Sequence, residues 1–377
     1  MPKNVVICCD GTNNSFQRDL TNVALVSLVA GGVPGQHVYY DVGVGVDADP
    51  GMWTRVGATV SRWSGLAFGT GLVDNVAAAY QEIVDRCEPD DRLFLFGFSR
   101  GAYTVRVLAA LLQHYGRLTP VNRHRVTEVV DKFRTLVPKE GSRDAEDPER
   151  RRAYLARTFA DAATVRRQWS AAEECPVHFL GLWDTVSSLG WAYDPRTFPS
   201  TAVMKDVRVV RHALAIDERR AKFRTNRVTP VEGQDVMEVW FPGVHADVGG
   251  GYPAAESGLA RVCLRWMLQE ARAHGLLVNA AVLQQHGLDR PAPPADEQAA
   301  QHESLSGAWW PLEHLPLPHW RQVDGQWVKG SRRYKGEGWR AIGATDRVSE
   351  VVRRRLPSWP VKNAHWPAVA ASVSWVP

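Results

Sequence analysis

Residues Arg92–Tyr115 read RLFLFGFSRGAYTVRVLAALLQHY. The apolar run Leu93-Phe94-Leu95-Phe96 is long enough for one buried strand. A sharp turn follows at Gly97-Phe98-Ser99-Arg100-Gly101, and then a helix in which Ala102, Val105, Ala109 and Leu112 fall near one face. Strand, G-x-S-x-G and helix in this order form the context in which the motif reads as a nucleophile elbow. Such a turn strains the serine backbone and lifts its hydroxyl clear of the sheet. Side chains at Gly97 or Gly101 would collide with the neighbouring strand or helix. The helix start, at Arg100, directs N–H groups and its positive dipole end toward the same place, which suits a developing oxyanion. The bland alternative is a tight turn whose serine only caps the helix.

Outward from this stretch the chain alternates strands and helices. Val5–Cys9 reads as a buried first strand, ending in Asp10-Gly11-Thr12-Asn13-Asn14. Such an end belongs at the carboxyl edge of a parallel sheet, where α/β sites form. The N–H of Gly11 or Thr12 is a candidate second oxyanion donor, and an ordinary βα turn with Asp10 as a structural residue is the alternative. Asn22–Ala30 is a short helix, His37–Asp41 a second strand, and Gly71–Cys87 an amphipathic helix leading into the Ser99 strand. Gly43-Val44-Gly45 lacks the third glycine and the helix of a dinucleotide site. Residues 46–68 read as a loop rich in glycine and tryptophan. This rhythm predicts an α/β-hydrolase-like fold: a mainly parallel central sheet with helices on both faces and helical insertions.

Residues 120–174 are helical, charged and rich in arginine, and read as a cap insertion over the sheet edge. Val177–Trp183 is a strand ending in Asp184-Thr185-Val186. Lys205–Glu218 reads as a helix carrying His212. Val236–Phe241 is a strand running into Pro242-Gly243-Val244-His245-Ala246-Asp247, and Leu259–His274 a long helix. Residues 287–300, with three prolines, read as a surface linker. The division expected is a catalytic domain over 1–285 and a tryptophan-rich extension over 301–377 packed on it.

Three strands in succession thus end in Ser99, Asp184 and His245, in the chain order of α/β-hydrolases. Serine is a poor nucleophile until a base takes its proton. Histidine is the side chain matched to that task near neutral pH. An aspartate fixes its tautomer and stabilises its charged form. Asp247 is expected to hold the loop Val248–Tyr252 through backbone N–H bonds. A second chemistry stays open: Asp10, Asp184, His245 and Asp247 are residue types that hold a divalent metal for phosphoester hydrolysis. A silent binding protein on the same fold is a third reading.

The segments Cys9-Asp10-Gly11-Thr12, LFGFSRGAYTVRVLAALL, Trp183-Asp184-Thr185, RHALAIDERRAKF and FPGVHADVGGGY occur in this order. Over roughly residues 3–275 the chain resembles the α/β-hydrolase family of type VI secretion phospholipase effectors. The resemblance implies a serine esterase or lipase acting on phospholipid acyl esters without a cofactor, with Ser99 as nucleophile, Asp184 as acid and His245 as base.

Composition sets outer bounds. With 377 residues, 45% apolar and 23% charged, the chain has the makings of a sizeable core. A net charge of +4 and no recognisable module argue against nucleic acid as a partner. The five cysteines, Cys8, Cys9, Cys87, Cys175 and Cys263, form neither a disulfide framework nor a zinc site. No run approaches a membrane span, and MPKNVVICCDG lacks the apolar stretch of a signal peptide. The expectation is a cytoplasmic protein, or one exported without a cleavable signal. Trp309, Trp310, Trp320, Trp327, Trp339, Trp359, Trp366 and Trp375 crowd the C-terminal part beside Arg332, Arg333, Arg353, Arg354 and Arg355. That composition suits either peripheral membrane contact or extra core.

Overall fold

The computed structural model describes residues 2–11, 19–43, 68–171, 176–186, 198–323 and 326–377. Thr12, most of the glycine- and tryptophan-rich loop after residue 46, and Cys175 lie outside the described residues.

Eight strands form one parallel sheet. In chain order they are β1 (Asn4–Cys9), β2 (Gln36–Asp41), β3 (Arg92–Phe98), β4 (Val177–Trp183), β5 (Val207–Ala215), β6 (Asp235–Phe241), and, beyond a separate antiparallel hairpin of β7 (Leu317–Val323) with β8 (Gln326–Arg332), β9 (Arg347–Ser349) and β10 (Ser374–Val376). The spatial order is β10-β9-β6-β5-β4-β3-β1-β2. Every neighbouring pair in it is parallel. The chain leaves β1 toward β2 and returns on the other side as β3. The crevice at the carboxyl ends of β1 and β3 is therefore the switch point where open α/β sheets place ligands.

The central strands bury both faces because helices cover both, while the edge strands β2 and β10 are only partly buried. Val5, Ile7 and Cys9 point to one layer and Val6 and Cys8 to the other, so the adjacent cysteines face opposite ways. The first layer holds α2 (Phe68–Arg86) and α3 (Arg100–Tyr115), and the second holds α1 (Asn22–Ala30) and, later in the chain, a helix over Gly258–Ala273. Helix α3 is buried at every position from Arg100 to Leu112. The arginine-rich stretch explains this: its helices α4 (Val126–Arg134) and α5 (Pro148–Trp169) pack outside α3 through Val129, Val130, Phe133, Ala162 and Val165. Full burial of each Leu or Val on α3 contributes about 1.5–3 kcal/mol, so this helix anchors the serine turn firmly.

One expectation is overturned. Residues 205–218 are not a helix; β5 runs through them and pairs with β4 and β6. Val207, Val209 and Val210 favour the pleated backbone. The charged residues that obscured the pattern are buried in pairs: Arg211 with Asp235 and Glu270, each at 2.6 Å, and His212 with Glu238 at 2.9 Å. The strands that end in Ser99, Asp184 and His245 are consequently not successive, since β5 lies between the last two.

The C-terminal residues extend the sheet through β9 and β10. Trp240 of β6, with Val348, Trp366 and Val373, forms a third apolar cluster there. Trp366 is buried, whereas Trp310 is 41% exposed. Residues 287–300 are tied down by Asp296, which takes ion pairs from Arg261 and Arg265. Among the described residues no helix is long and apolar enough to cross a membrane.

Candidate active site

The turn between β3 and α3 holds Ser99 at φ 58° and ψ −119°. A non-glycine residue in that region costs about 1–3 kcal/mol and persists only when its surroundings impose it. The surroundings here are tight. A Cβ on Gly97 would lie 2.5 Å from the Gly101 carbonyl oxygen, and one on Gly101 would lie 2.0 Å from that of Cys9. Ser99 N–H donates to the Trp183 carbonyl at 3.0 Å, which ties the turn to β4.

His245 opens a short helix (His245–Gly249) after β6. Its Nε2 lies 2.8 Å from Ser99 Oγ and its Nδ1 2.5 Å from Asp184 Oδ2. An ionised carboxylate only accepts, so Nδ1 carries the proton and Nε2 presents its lone pair to the serine hydroxyl. The ring is held between Phe98, 4.7 Å away, and the edge of Phe223, 4.9 Å away. Gly249 lets the short helix approach: a Cβ there would fall 1.9 Å from the Phe98 ring. Burial lowers the His245 pKa, and Asp184 only partly opposes it. The imidazole therefore stands neutral near pH 7, as a base must.

Asp184 is wholly buried at the end of β4, with φ 43°. Burial by itself would raise its carboxyl, but the Arg340 charge and the hydrogen bond from His245 outweigh that and hold it well below the usual carboxylate range. Oδ1 accepts from Ala215 N–H at 3.1 Å and from Arg340 Nη1, and Oδ2 from Arg340 Nη2 at 2.9 Å. Arg340 is itself buried and also donates to the carbonyls of Ala215 and Phe223.

A second carboxylate, Glu218, supports the histidine. It accepts from His245 N–H at 3.3 Å, pairs with Arg220 at 2.8 Å and is held at a pKa of about 2, where the neighbouring Arg220 charge overrides burial. Asp217 beside it accepts from Gly243 N–H and Lys362 N–H. Sequence reasoning missed Arg340 and gave Glu218 no role. The Asp217-Glu218 pair stood in a segment that carried the resemblance, which was a signal. Arg340, a lone arginine 156 residues from its partner, offered none.

Asp247 does not hold the following glycines in the way expected. Its carboxylate accepts from Val244 N–H at 3.0 Å and His302 N–H at 3.2 Å, and meets His302 Nδ1 at 2.6 Å. It thus closes the turn that presents His245 and pins a distant segment to it. A Cβ on Gly243 would fall 2.5 Å from that of Asp247, which is why the turn needs a glycine at φ 101°.

Asp10 follows β1 and accepts from Thr21 Oγ1, from Tyr40 Oη at 2.8 Å and from Gly11 N–H at 2.6 Å. The Gly11 N–H is committed to that carboxylate, so this conformation does not offer it as an oxyanion donor. Arg100 is buried at the first position of α3, where helix N–H groups have no preceding carbonyl. Asp10 and Asp247 do not join Asp184 and His245: Asp10 accepts from Tyr40, and Asp247 faces His302. Among the described residues no group of three or more His, Cys, Asp or Glu is placed to hold a metal.

The model of the type VI secretion system phospholipase effector Tle1-like catalytic domain matches residues 3–270. An uncharacterised protein of Saccharomyces cerevisiae is 33% identical over 236 residues, which cover 61% of this chain and 33% of that protein. The chain therefore spans about a third of its yeast relative's length. An uncharacterised Pseudomonas aeruginosa structure is similar over 78% of this chain and 49% of its own, at 19% identity and a TM-score of 0.42. The Tle1 effector bound to the VgrG spike is similar over 69% and 53%, at 20% identity and 0.36.

Proposed function

Because the chain belongs to the family of Tle1-like catalytic domains of type VI secretion phospholipase effectors, we propose that it is a serine hydrolase that cleaves carboxylic esters of phospholipids. The observation that carries this reading is the continuous hydrogen-bonded line from Asp184 through His245 to a serine in a strained elbow. Ser99 Oγ attacks the ester carbonyl carbon as its proton passes to His245 Nε2. Asp184 stabilises the imidazolium that forms. Negative charge gathers on the carbonyl oxygen, where the N–H of Arg100 and the positive end of α3 stabilise it. The C–O bond then breaks, and the departing alcohol takes the proton from Nε2. Water, deprotonated by the same nitrogen, releases the fatty acid and restores Ser99.

An aromatic wall supports a lipid substrate. Trp309 packs edge-on to Phe223 at 5.4 Å, and Phe223 packs in turn on His245. That line of rings leads from the tryptophan-rich segment to the base, with the Arg220 guanidinium stacked over Phe223 at 3.5 Å and over Trp309 at 4.9 Å. Neighbouring Trp310, exposed and close to the Arg219 guanidinium, is read as the peripheral contact with the lipid surface.

The test is a panel of phospholipids in mixed micelles, with released fatty acids and lysolipids identified by mass spectrometry for wild type and Ser99→Ala. Acyl release by wild type alone is expected. Release of phosphorylated headgroups, or equal acyl release by the variant, would contradict the reading.

A further inference from the structure

In the hydrolase reading, on which this inference rests, Asp184 is the acid. Beside the Ala215 N–H on Oδ1, one guanidinium reaches both of its oxygens. Arg340 Nη2 reaches Oδ2 at 2.9 Å, the same oxygen that His245 Nδ1 reaches at 2.5 Å, while Nη1 meets Oδ1. Both side chains are essentially sealed, at 1% and 0% exposure. Two backbone carbonyls, of Ala215 and Phe223, complete the cradle that fixes the guanidinium. Asn363 holds the Arg340 backbone by donating to its carbonyl at 3.1 Å and to that of Ile216 at 2.8 Å. Arg340 lies beyond residues 3–270, the part the family model matches.

We infer that Arg340 is a positioning residue for the reaction: it keeps Asp184 ionised and fixes its carboxylate plane, so that the segment after residue 270 completes the active site.

A fully buried carboxylate without a counter-charge is driven toward its neutral form, and a neutral acid cannot support the His245 imidazolium. The fork geometry of arginine matches both carboxylate oxygens at once, which a lysine ammonium cannot do. Charge and orientation are therefore separable by substitution. Among the described residues the other titratable groups around the pair are Glu218, which senses both Arg340 and His245, Arg220, which acts on His245, and His212 and Cys263, which sense Asp184 from further off. None of them replaces Arg340, since Arg220 is paired with Glu218 and His212 with Glu238.

Removing the charge has one sign. If Asp184 stays ionised in Arg340→Met, its unopposed charge raises the His245 pKa. If Asp184 instead takes up a proton, the protonated form persists to higher pH. Both outcomes move the acid limb of reactivity upward. A purely structural Arg340 would lower stability or amplitude and leave the limb where it was.

The experiment measures the second-order rate of Ser99 labelling by a fluorophosphonate from pH 4 to 9, about the range in which a perturbed histidine titrates, on the full chain. Arg340→Met is expected to move the acid limb up by about one to three pH units. Arg340→Lys is expected to leave the limb in place and lower the plateau by up to roughly 100-fold, the cost of a misplaced group. A folded Arg340→Met with the wild-type limb overturns the inference. Should that variant not fold, Arg340→Lys decides: a shifted limb or a wild-type plateau overturns it. A wild type that takes no label at any pH overturns the hydrolase reading and the inference with it. Labelling of wild type with an unchanged Arg340→Met profile overturns the inference alone.

Discussion

The serine and its acid are built in opposite ways. The serine turn is local: β3, Ser99 and α3 are contiguous, and two glycines let the backbone pass Cys9 and Ala102 closely. The station around Asp184 is assembled from distant pieces, with Ala215 at the end of β5, His245 after β6 and Arg340 from beyond residue 270. The difference separates two kinds of sensitivity. The elbow is specified by short-range sterics and fails by collision. The acid station depends on the docking of segments and fails by loss of a partner.

The largest expected effect separates the two chemically. Ser99→Ala removes only a hydroxyl and should lower kcat for a short p-nitrophenyl ester on the order of 10⁶-fold, with the circular dichroism spectrum unchanged. Asp184→Asn should lower it about 10⁴-fold, through the wrong histidine tautomer. Equal residual rates would mean that the acid station contributes as much as the nucleophile.

Stability offers the next contrast. Gly101→Ala forces a methyl into the Cys9 carbonyl and should destabilise by about 1–3 kcal/mol or more, as overpacking does. Glu218→Gln strands the buried Arg220 and should cost about 3–5 kcal/mol. Urea denaturation of both variants orders them. A Glu218→Gln protein as stable as wild type would show that the Glu218–Arg220 pair is dispensable.

Acid tolerance follows from the histidine. Burial lowers its pKa below the usual value of about 6.5, and the neutral form is the base. Turnover should persist below pH 6.5 and fall only as pH drops through the lowered value. A kcat/KM profile with its acid limb above pH 6.5 would show that Asp184 outweighs burial. A smaller effect is expected at Asp247, which closes the His245 turn but does not touch the serine. Asp247→Asn should cost about 1–3 kcal/mol in stability and change kcat at most a few-fold.

Legibility in the sequence followed the same division. The elbow could be read because strand, G-x-S-x-G and helix are local signals, and the apolar run Val5–Cys9 read as a buried strand of the same sheet. The parallel sheet followed from that rhythm. β5 was misread because Arg211 and His212 interrupt its apolar pattern, and their burial depends on Glu270 and Glu238 far along the chain. The role of Asp247 was misassigned because its partner, His302, lies 55 residues away. Arg340 was invisible for the same reason. The tryptophans split between both regimes: Trp366 packs in the third apolar cluster while Trp310 stays exposed. The smallest effect is expected there. Trp310→Ala should leave soluble-ester turnover intact and reduce the blue shift of tryptophan emission on adding anionic vesicles. An unchanged blue shift would move the membrane contact elsewhere.

The central claim is that Ser99 is an activated nucleophile whose base is His245. The most direct measurement is peptide mass spectrometry of the full chain after reaction with a fluorophosphonate at pH 7.5, near the working range of a neutral imidazole. The account predicts one adduct, on the peptide containing Ser99, that is absent in His245→Ala. An unlabelled Ser99 in protein that still hydrolyses esters, or equal labelling without His245, would contradict it.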